Sequence, residues 1–358
     1  MTHSTTAVDR RVWDAAGGGA SVDPWAVLHD AILDTREALA VWTVLLPEMA
    51  EFVERLREHG ARARRVGDSH VLSISDRRGE FLVMLVSVGG GVWHIASFVP
   101  ATDPRWNVIR WAGSFSNHRL APIYLNEEDF LRIGDRLAEF GDLTVSRLTA
   151  RKLTDGSSLS RGWPQDLGGP SLREAIEEAS GCSVRTLLIT VSNTMRVHLR
   201  RNGGATFQAG DFNVFVEVVL GALAGAGERR FALLAERSRE IGQPLRRPLA
   251  VRFRGSKLRE PFTTASLADA IQRQQPFGVA VLHGNPYIHL VVTDYVDGSN
   301  FNVFVAEDDE VRIVPGFRAT VPSLARLTDA IGDRLGAETI EEAHSVPAVT
   351  LDKLFVPS

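Results

Sequence analysis

The chain has a single cysteine, Cys182, among its 358 residues. One thiol cannot form an internal disulfide, so a disulfide framework is excluded and a reducing compartment is indicated. Long apolar runs are also scarce, because the longest, from Ala38 to Leu46, is far shorter than the roughly 20 residues that a membrane-spanning helix needs. No segment after Met1 resembles a signal peptide. We therefore expect a cytoplasmic protein without a membrane partner, in which Cys182 is a small buried thiol.

Neither sign of charge is in excess. The chain carries 40 Lys and Arg against 44 Asp and Glu, a formal net charge of −4. This balance gives no whole-protein reason to expect nucleic acid or an anionic membrane as a partner. A hydrophobic content of 44% is ordinary for a folded protein, and the length favours two or three domains.

Motifs that carry chemistry are missing as well. The sequence has no Walker-type phosphate loop, no dinucleotide fingerprint, no zinc-protease helix and no nucleophile elbow. His283 and His289 are placed to approach each other across a hairpin, although exposed strand histidines are the simpler interpretation. The acidic cluster from Glu307 to Glu310 lies between two apolar strands, which favours a solvated turn over a metal or nuclease site. We expect no enzyme, no cofactor and no metal, while an enzyme whose catalytic residues are scattered stays an open alternative.

Two five-residue strings occur twice. Phe212–Val216 recurs as Phe301–Val305, and Ile133–Leu137 recurs as Ile331–Leu335. A weaker version of the first string lies at Trp106–Ile109, and a weaker version of the second lies at Ile241–Leu245. Each copy then ends in a Lys-Leu pair: Lys152-Leu153, Lys257-Leu258 and Lys353-Leu354. Ordered landmarks at similar spacing indicate three diverged copies of one unit.

Each copy combines helical and strand patterns. Met49, Phe52, Val53 and Leu56 form one apolar helix face, and later segments alternate with a period of two. The short Gly- and Asn-rich connections suit antiparallel hairpins. The predicted fold class is α+β, with three tandem two-layer modules of helix, antiparallel sheet and helix. The predicted organisation is a disordered tail over 1–24, an extra N-terminal helix over 25–46, module 1 over 47–154, a linker over 155–170, module 2 over 171–260 and module 3 over 261–358.

Basic residues are concentrated in module 2. Arg196 and Arg200 lie on one face of an alternating strand, and Arg252 and Arg254 lie on one face of a later strand. If both strands share a sheet surface, they form a cationic face for phosphates or an acidic peptide. The simpler interpretation is the solvent-exposed side of a half-buried sheet, where acidic residues on the flanking helix neutralise the arginines.

This organisation resembles the peptide-binding chaperone superfamily, which includes type III secretion chaperones of the CesT kind and YbjN-like proteins. The landmarks at Trp106, Phe212 and Phe301, each followed by a helix-end string, extend the resemblance over residues 47 to 358. It implies a non-enzymatic scaffold that binds a polypeptide client for a secretion, effector or conflict system. The third module departs from the pattern, because it leaves little room for the helix that those folds place between strands.

Aromatic residues outside the helix stripes are the candidate peptide contacts: Trp93, Trp106, Trp111, Phe277 and Tyr287. A peptide that adds to a sheet edge would place its side chains against such rings, and core packing is the alternative for each ring. The second functional hypothesis is a nucleic-acid-associated accessory protein that uses the cationic face of module 2.

Overall fold

The computed structural model describes residues 12–14, 23–35, 38–76, 79–98, 120–153, 155–164, 168–253, 264–273, 277–284, 288–307, 310–335 and 339–343. These residues form a mixed α+β structure with two antiparallel sheets, which confirms the predicted class.

The first sheet contains eleven strands. They are β1 (Leu39–Leu45), β2 (Arg62–Val66), β3 (Ser69–Asp76), β4 (Gly79–Gly89), β5 (Val92–Ser97), β6 (Ala121–Pro122), β7 (Leu143–Lys152), β8 (Ser158–Gly162), β9 (Cys182–Val191), β10 (Met195–Arg200) and β11 (Gly204–Gly210). Their spatial order is β2-β3-β4-β5-β1-β11-β10-β9-β7-β8, and β6 pairs with β1. Strand β1 therefore joins the two halves of the sheet.

The second sheet contains six strands. They are β12 (Leu249–Arg252), β13 (Phe277–His283), β14 (Ile288–Asp294), β15 (Asn300–Glu307), β16 (Glu310–Pro315) and β17 (Thr339–Glu342). Their spatial order is β13-β14-β15-β16-β12-β17, which leaves β13 at one edge and β17 at the other.

The helices pack on the sheet faces. They are α1 (Pro24–Thr35), α2 (Met49–Glu58), α3 (Glu127–Ala138), α4 (Leu172–Glu178), α5 (Phe212–Val214, a π-helical segment Phe215–Leu220, and Gly221–Ala235), α6 (Thr264–Gln272) and α7 (Val321–Leu335). Helix α2 covers one face of the first sheet, and α1, α3, α4 and α5 cover the other. Helix α7 contacts α6 and β12 and also reaches β6 and α5, so it connects the two sheets.

Local sequence explains where α3 begins. The Asn126 side chain accepts a hydrogen bond from the Asp129 amide at 2.8 Å, and the Asp129 carboxylate accepts one from the Asn126 amide at 3.2 Å. This capping box satisfies two amides that the helix leaves unpaired. Phe130, Ile133 and Leu137 then form the predicted buried stripe.

The helix predicted over 25–46 is wrong in its second half. Helix α1 begins at Pro24 and ends at Thr35, and β1 follows with all seven residues buried. A strand buried on both faces shows no polar alternation, so its short apolar run cannot be distinguished from a helix by period alone. The valines and Trp42 of β1 favour the pleated backbone that the sheet provides.

The repeated string Phe212–Val216 is helical, whereas its copy Phe301–Val305 is a strand. Asp211 explains the difference, because its side chain caps the helix by accepting from the amides of Asn213 at 2.8 Å and Val214 at 3.2 Å. The second copy instead lies within β15, between β14 and β16. This string therefore does not mark equivalent elements.

The structure does not confirm three equivalent modules. Ile133–Leu137 lies in α3 and Ile331–Leu335 lies in α7, both helical, but Ile241–Leu245 lies in a turn and irregular backbone. Two segments do share one connectivity: β1, α2 and β2 to β5 match β12, α6 and β13 to β16. In each, the strand before the helix pairs antiparallel with the last strand after it. The shared unit thus begins with a strand rather than with a helix.

The predicted segment boundaries also differ from the sheets. Strand β8 lies inside the linker expected over 155–170 and pairs with β7. The boundary at residue 260 separates β12 from the sheet to which it belongs. In the tail expected over 1–24, residues 12–14 form a helical turn with Val12 buried and the Arg64 guanidinium 4.3 Å from the Trp13 ring.

Candidate functional site

Among the residues that the structure describes, four strands form the sheet edges, and they differ in charge. Strand β2 carries three arginines, β8 carries Arg161, and β17 carries Glu341 and Glu342. Strand β13 has the sequence Phe-Gly-Val-Ala-Val-Leu-His and carries no Asp, Glu, Lys or Arg. Since charged side chains on an edge discourage pairing with another chain, β13 is the edge that lacks this protection.

The apolar side chains of β13 become more exposed along the strand. Phe277 is buried, whereas Val281 is 54% exposed and Leu282 is 60% exposed. Tyr295, which follows β14, is also exposed and lies against Gly278, where it would meet any Cβ. A bulge between Val281 and His283 ends the regular pairing with β14. The result is an apolar edge surface, which we define as Gly278 to Leu282 together with Tyr295.

Two of the five predicted peptide contacts, Phe277 and Trp93, lie in the described part of the chain, and neither belongs to the apolar edge surface. Phe277 lies on β13, but it is buried and contributes to the core. Trp93 lies on β5 in the other sheet. Trp106, Trp111 and Tyr287 lie outside the described residues. The signal that the sequence analysis missed is the uncharged run from Phe277 to Leu282, whose edge position the sequence does not show.

Trp93 contributes to a separate groove. The groove has a volume of about 540 Å³ and lies between α2 and the first sheet. Trp93, Met49 and Val53 supply apolar walls, and Arg57 and Arg65 lie at the same groove. The Trp93 ring is 6.4 Å from the ring of His70, whose pKa is lowered by burial and by the two arginines.

Five neighbouring strands carry no carboxylate. Strands β7 to β11 contain no Asp or Glu, in a chain whose net charge is −4. Arg196, His198 and Arg200 project from the face opposite the buried Met195, Val197 and Leu199 of β10. We define the basic face by its charged or titratable members, Arg147, Arg151, Arg196, His198 and Arg200.

The acidic residues of α4 do not lie beside the basic face. Helix α4 packs through Leu172, Ala175 and Ile176 on the opposite face, so Glu174 and its neighbours lie across the sheet. A carboxylate reaches the basic face from another helix instead, because Asp333 of α7 lies 3.7 Å from Arg151. The pKa of His198 falls to about 4 because the ring is buried and lies near Arg200 and Arg147.

The predicted cationic face is divided between two sheets. Arg196 and Arg200 lie on β10 in the first sheet, but Arg252 lies on β12 in the second. Arg252 forms ion pairs with Glu310 at 3.1 Å and with Glu341 at 2.6 Å. Arg254 lies outside the described residues. The expectation of a single sheet surface is therefore corrected to a smaller face on β7, β9 and β10.

A cavity of about 380 Å³ lies where the basic face meets α7. We call it the corner cavity, and its polar lining includes Tyr124, Thr149, Thr186, Arg200, Arg201 and Asp329. The Arg201 guanidinium lies 4.2 Å from the Tyr124 ring centroid and donates to Ser183 Oγ at 2.6 Å. Burial raises the pKa of Asp329 to about 7, against the lowering effect of Arg230.

The two candidate histidines, His283 and His289, lie opposite each other on neighbouring strands. His283 and His289 are cross-strand partners, as the hairpin hypothesis predicts. His289 is hydrogen bonded to Asn302 at 2.9 Å and stacks on Phe304. Within the residues that the structure describes, no three His, Cys, Asp or Glu side chains are placed to hold a metal ion. The two histidines therefore lack a third ligand of these types in that part of the chain.

Glu310 of the acidic cluster and Cys182 are both buried. Glu307 and Glu310 face each other where β15 and β16 meet, which fits the expected hairpin. Glu310 is buried and paired with Arg252 and Arg312, whereas Asp308 and Asp309 of the expected solvated turn lie outside the described residues. Cys182 is buried as predicted, and burial raises the pKa of its thiol.

The chain was compared with protein-family models and with curated proteins. No protein-family model matches the chain. No curated protein matches it at a significant level. In the part of the chain that the structure describes, no helix combines the length and the apolar character needed to cross a membrane.

Proposed function

We propose that the chain is a non-enzymatic, cytoplasmic scaffold that binds an extended polypeptide as an added strand on β13. The observation that carries this proposal is the uncharged apolar edge of β13, beside three edges that carry charge. A peptide paired with β13 gains main-chain hydrogen bonds along the strand, and its alternate side chains contact the apolar edge surface.

The dimensions of the edge suit such a peptide. Phe277 to Val281 pair regularly with β14, so an added strand can run about 17 Å before the bulge interrupts it. Val281, Leu282 and Tyr295 offer apolar contacts for its side chains. The client is therefore an extended apolar segment with few charges, such as an unfolded chain presents to a chaperone. We further propose that this binding serves as a chaperone activity in a secretion, effector or conflict system, which is the role that the sequence resemblance implies.

Val281→Arg is expected to weaken peptide binding about tenfold or more, because a charge on the edge opposes pairing and removes an apolar contact. Val281 is more than half exposed, so folding stability should change little. The test screens peptides of about eight residues against the full chain and measures affinity by fluorescence anisotropy.

Ser158→Arg is the matched control, because it adds the same charge to the exposed edge strand β8 of the other sheet. It should leave peptide affinity unchanged. N-methylation of the peptide at alternate residues should abolish binding in one register and spare it in the other, since only alternate amides face β13. Equal loss in both variants, or no loss with Val281→Arg, would contradict the proposal.

Nucleic acid binding is the second candidate function, and the carboxylate-free strands β7 to β11 favour it. Against it, Arg252 belongs to another sheet and is engaged with Glu310 and Glu341. An oligonucleotide whose binding weakens steeply with salt and is insensitive to Val281→Arg would favour this alternative.

A further inference from the structure

A row of polar side chains crosses three strands of the basic face. Thr149 on β7, Thr186 on β9 and Arg200 on β10 are successive cross-strand partners. The two threonine hydroxyl oxygens lie 2.7 Å apart, and Arg200 donates to Thr206 of β11 at 2.8 Å. In the threonine pair one hydroxyl donates to the other, so the second hydroxyl hydrogen remains available to a ligand.

This polar row forms one wall of the corner cavity, where arginines outnumber carboxylates. Arg185, Arg200, Arg201 and Arg326 line it, against Asp329 and Asp333. The carboxylates already have cationic partners: Asp333 pairs with Arg185 at 2.7 Å, and Asp329 pairs with Arg230 at 2.9 Å. Arg326 is likewise paired with the buried Asp294. Among the lining residues that the structure describes, arginines therefore remain in excess over carboxylates.

We propose that the corner cavity binds a small phosphate-bearing molecule, with the phosphate on the row of Thr149, Thr186 and Arg200. Guanidinium and hydroxyl donors on one wall match the acceptor oxygens of a phosphate, and charge-assisted hydrogen bonds of this kind are strong. Arg201, stacked on Tyr124, adds positive charge at the adjacent wall. This site lies on the first sheet and is independent of peptide binding at β13.

The shape of the site favours a small molecule over a nucleic acid strand. Helix α7 closes one side of the corner cavity, so the polar row ends at a wall instead of continuing as a groove. Its volume of about 380 Å³ lies within the range of small-ligand sites. Tyr124 is the one aromatic side chain among the described lining residues, and Arg201 already covers its ring, which leaves no platform for successive bases.

Asp329 makes the binding of an anion dependent on pH. Its pKa is raised to about 7 by burial and by Asp333, while Arg230 and Arg201 act in the opposite direction. Below this value the carboxyl is neutral, and one negative charge near the anion is lost. The protonation states of His198 and Tyr124 do not change between pH 6 and 8, because the pKa of His198 is lowered to about 4 and that of Tyr124 is raised by burial.

The test measures binding of inorganic pyrophosphate and sulfate to the full chain by isothermal titration calorimetry. Arg200→Gln should weaken pyrophosphate binding about tenfold, and Thr186→Val should weaken it about threefold, as expected for losing a charged and a neutral hydrogen bond. Arg161→Gln removes an exposed charge of the same sheet outside the cavity and should change affinity less than about twofold. Val281→Arg should bind pyrophosphate like the wild type.

Sulfate tests the pH dependence, because its own charge is constant from about pH 6 to about pH 8. It should bind about threefold to tenfold tighter at the lower pH, and Asp329→Asn should abolish this difference. Circular dichroism of each variant checks that the fold is retained, and Thr186→Val replaces Arg200→Gln as the decisive variant if the latter fails to fold. No pyrophosphate binding, equal binding by Arg200→Gln, Thr186→Val and Arg161→Gln, or binding of single-stranded DNA without pyrophosphate would overturn the proposal.

Discussion

Replacing Asp294 with alanine is expected to lower the free energy of unfolding by about 3–5 kcal/mol, because it leaves a buried guanidinium without its counter-charge. Asp294 ends β14 and is fully buried, and Arg326 of α7 is 4% exposed. The carboxylate accepts from Arg326 Nε at 3.2 Å, from Ser323 Oγ at 2.7 Å and from the Val296 amide at 3.0 Å. Urea unfolding followed by circular dichroism measures the loss.

Asp297 limits the stability that Asp294→Ala is expected to lose. It lies 3.7 Å from Arg326 and keeps part of the electrostatic stabilisation after Asp294 is removed. The double variant Asp294→Ala with Arg326→Met should be more stable than Asp294→Ala alone, since it removes the buried guanidinium as well as its main counter-charge. A loss below about 1 kcal/mol for Asp294→Ala would mean that this ion pair is solvated, contrary to the structure.

Replacing Trp42 with alanine is expected to destabilise the chain by about 3–5 kcal/mol, as for other large aromatic residues in a core. Trp42 is 1% exposed at the centre of β1, between Ile95 of β5 and Gly204 of β11. A Cβ on residue 204 would lie 3.0 Å from Trp42 Nε1, so the indole packs directly on that glycine. The loss should be visible as a lowered thermal midpoint.

Both halves of the first sheet should lose stability together in this variant, because β1 is their shared strand. Leu33→Ala is the control, since Leu33 is an exposed residue of α1 and its truncation should cost less than about 0.5 kcal/mol. Separate transitions for the two halves, or equal losses for the two variants, would contradict a continuous sheet built through β1.

Regular periodicity predicted local structure correctly where one face of an element is exposed to solvent. The stripe of Phe130, Ile133 and Leu137 predicted α3, and the alternation of Arg196 and Arg200 predicted β10. The same reasoning failed for β1, which is buried on both faces and has no alternating pattern. It also failed for the repeated string, because Asp211 and tertiary pairing decide its conformation rather than its own five residues.

The candidate sites depend on tertiary relations that periodicity does not encode. Sequence placed Arg200 on a basic strand face, but the contribution of Tyr124 and Asp329 to the same cavity depends on how α7 packs against the first sheet. Likewise, the sequence of the run ending in Val281 and Leu282 does not distinguish an edge strand from a central apolar strand. Only the sheet order makes it an unprotected edge.

The most direct test of peptide binding on β13 is hydrogen exchange of the full chain with and without a bound peptide. Alternate backbone amides of β13, those that face away from β14, should exchange more slowly when the peptide is bound, because they become hydrogen bonded. The amides of the other edge strands β2, β8 and β17 should be unaffected. Protection confined to the groove at Trp93, or no change in β13 at saturating peptide, would contradict the account.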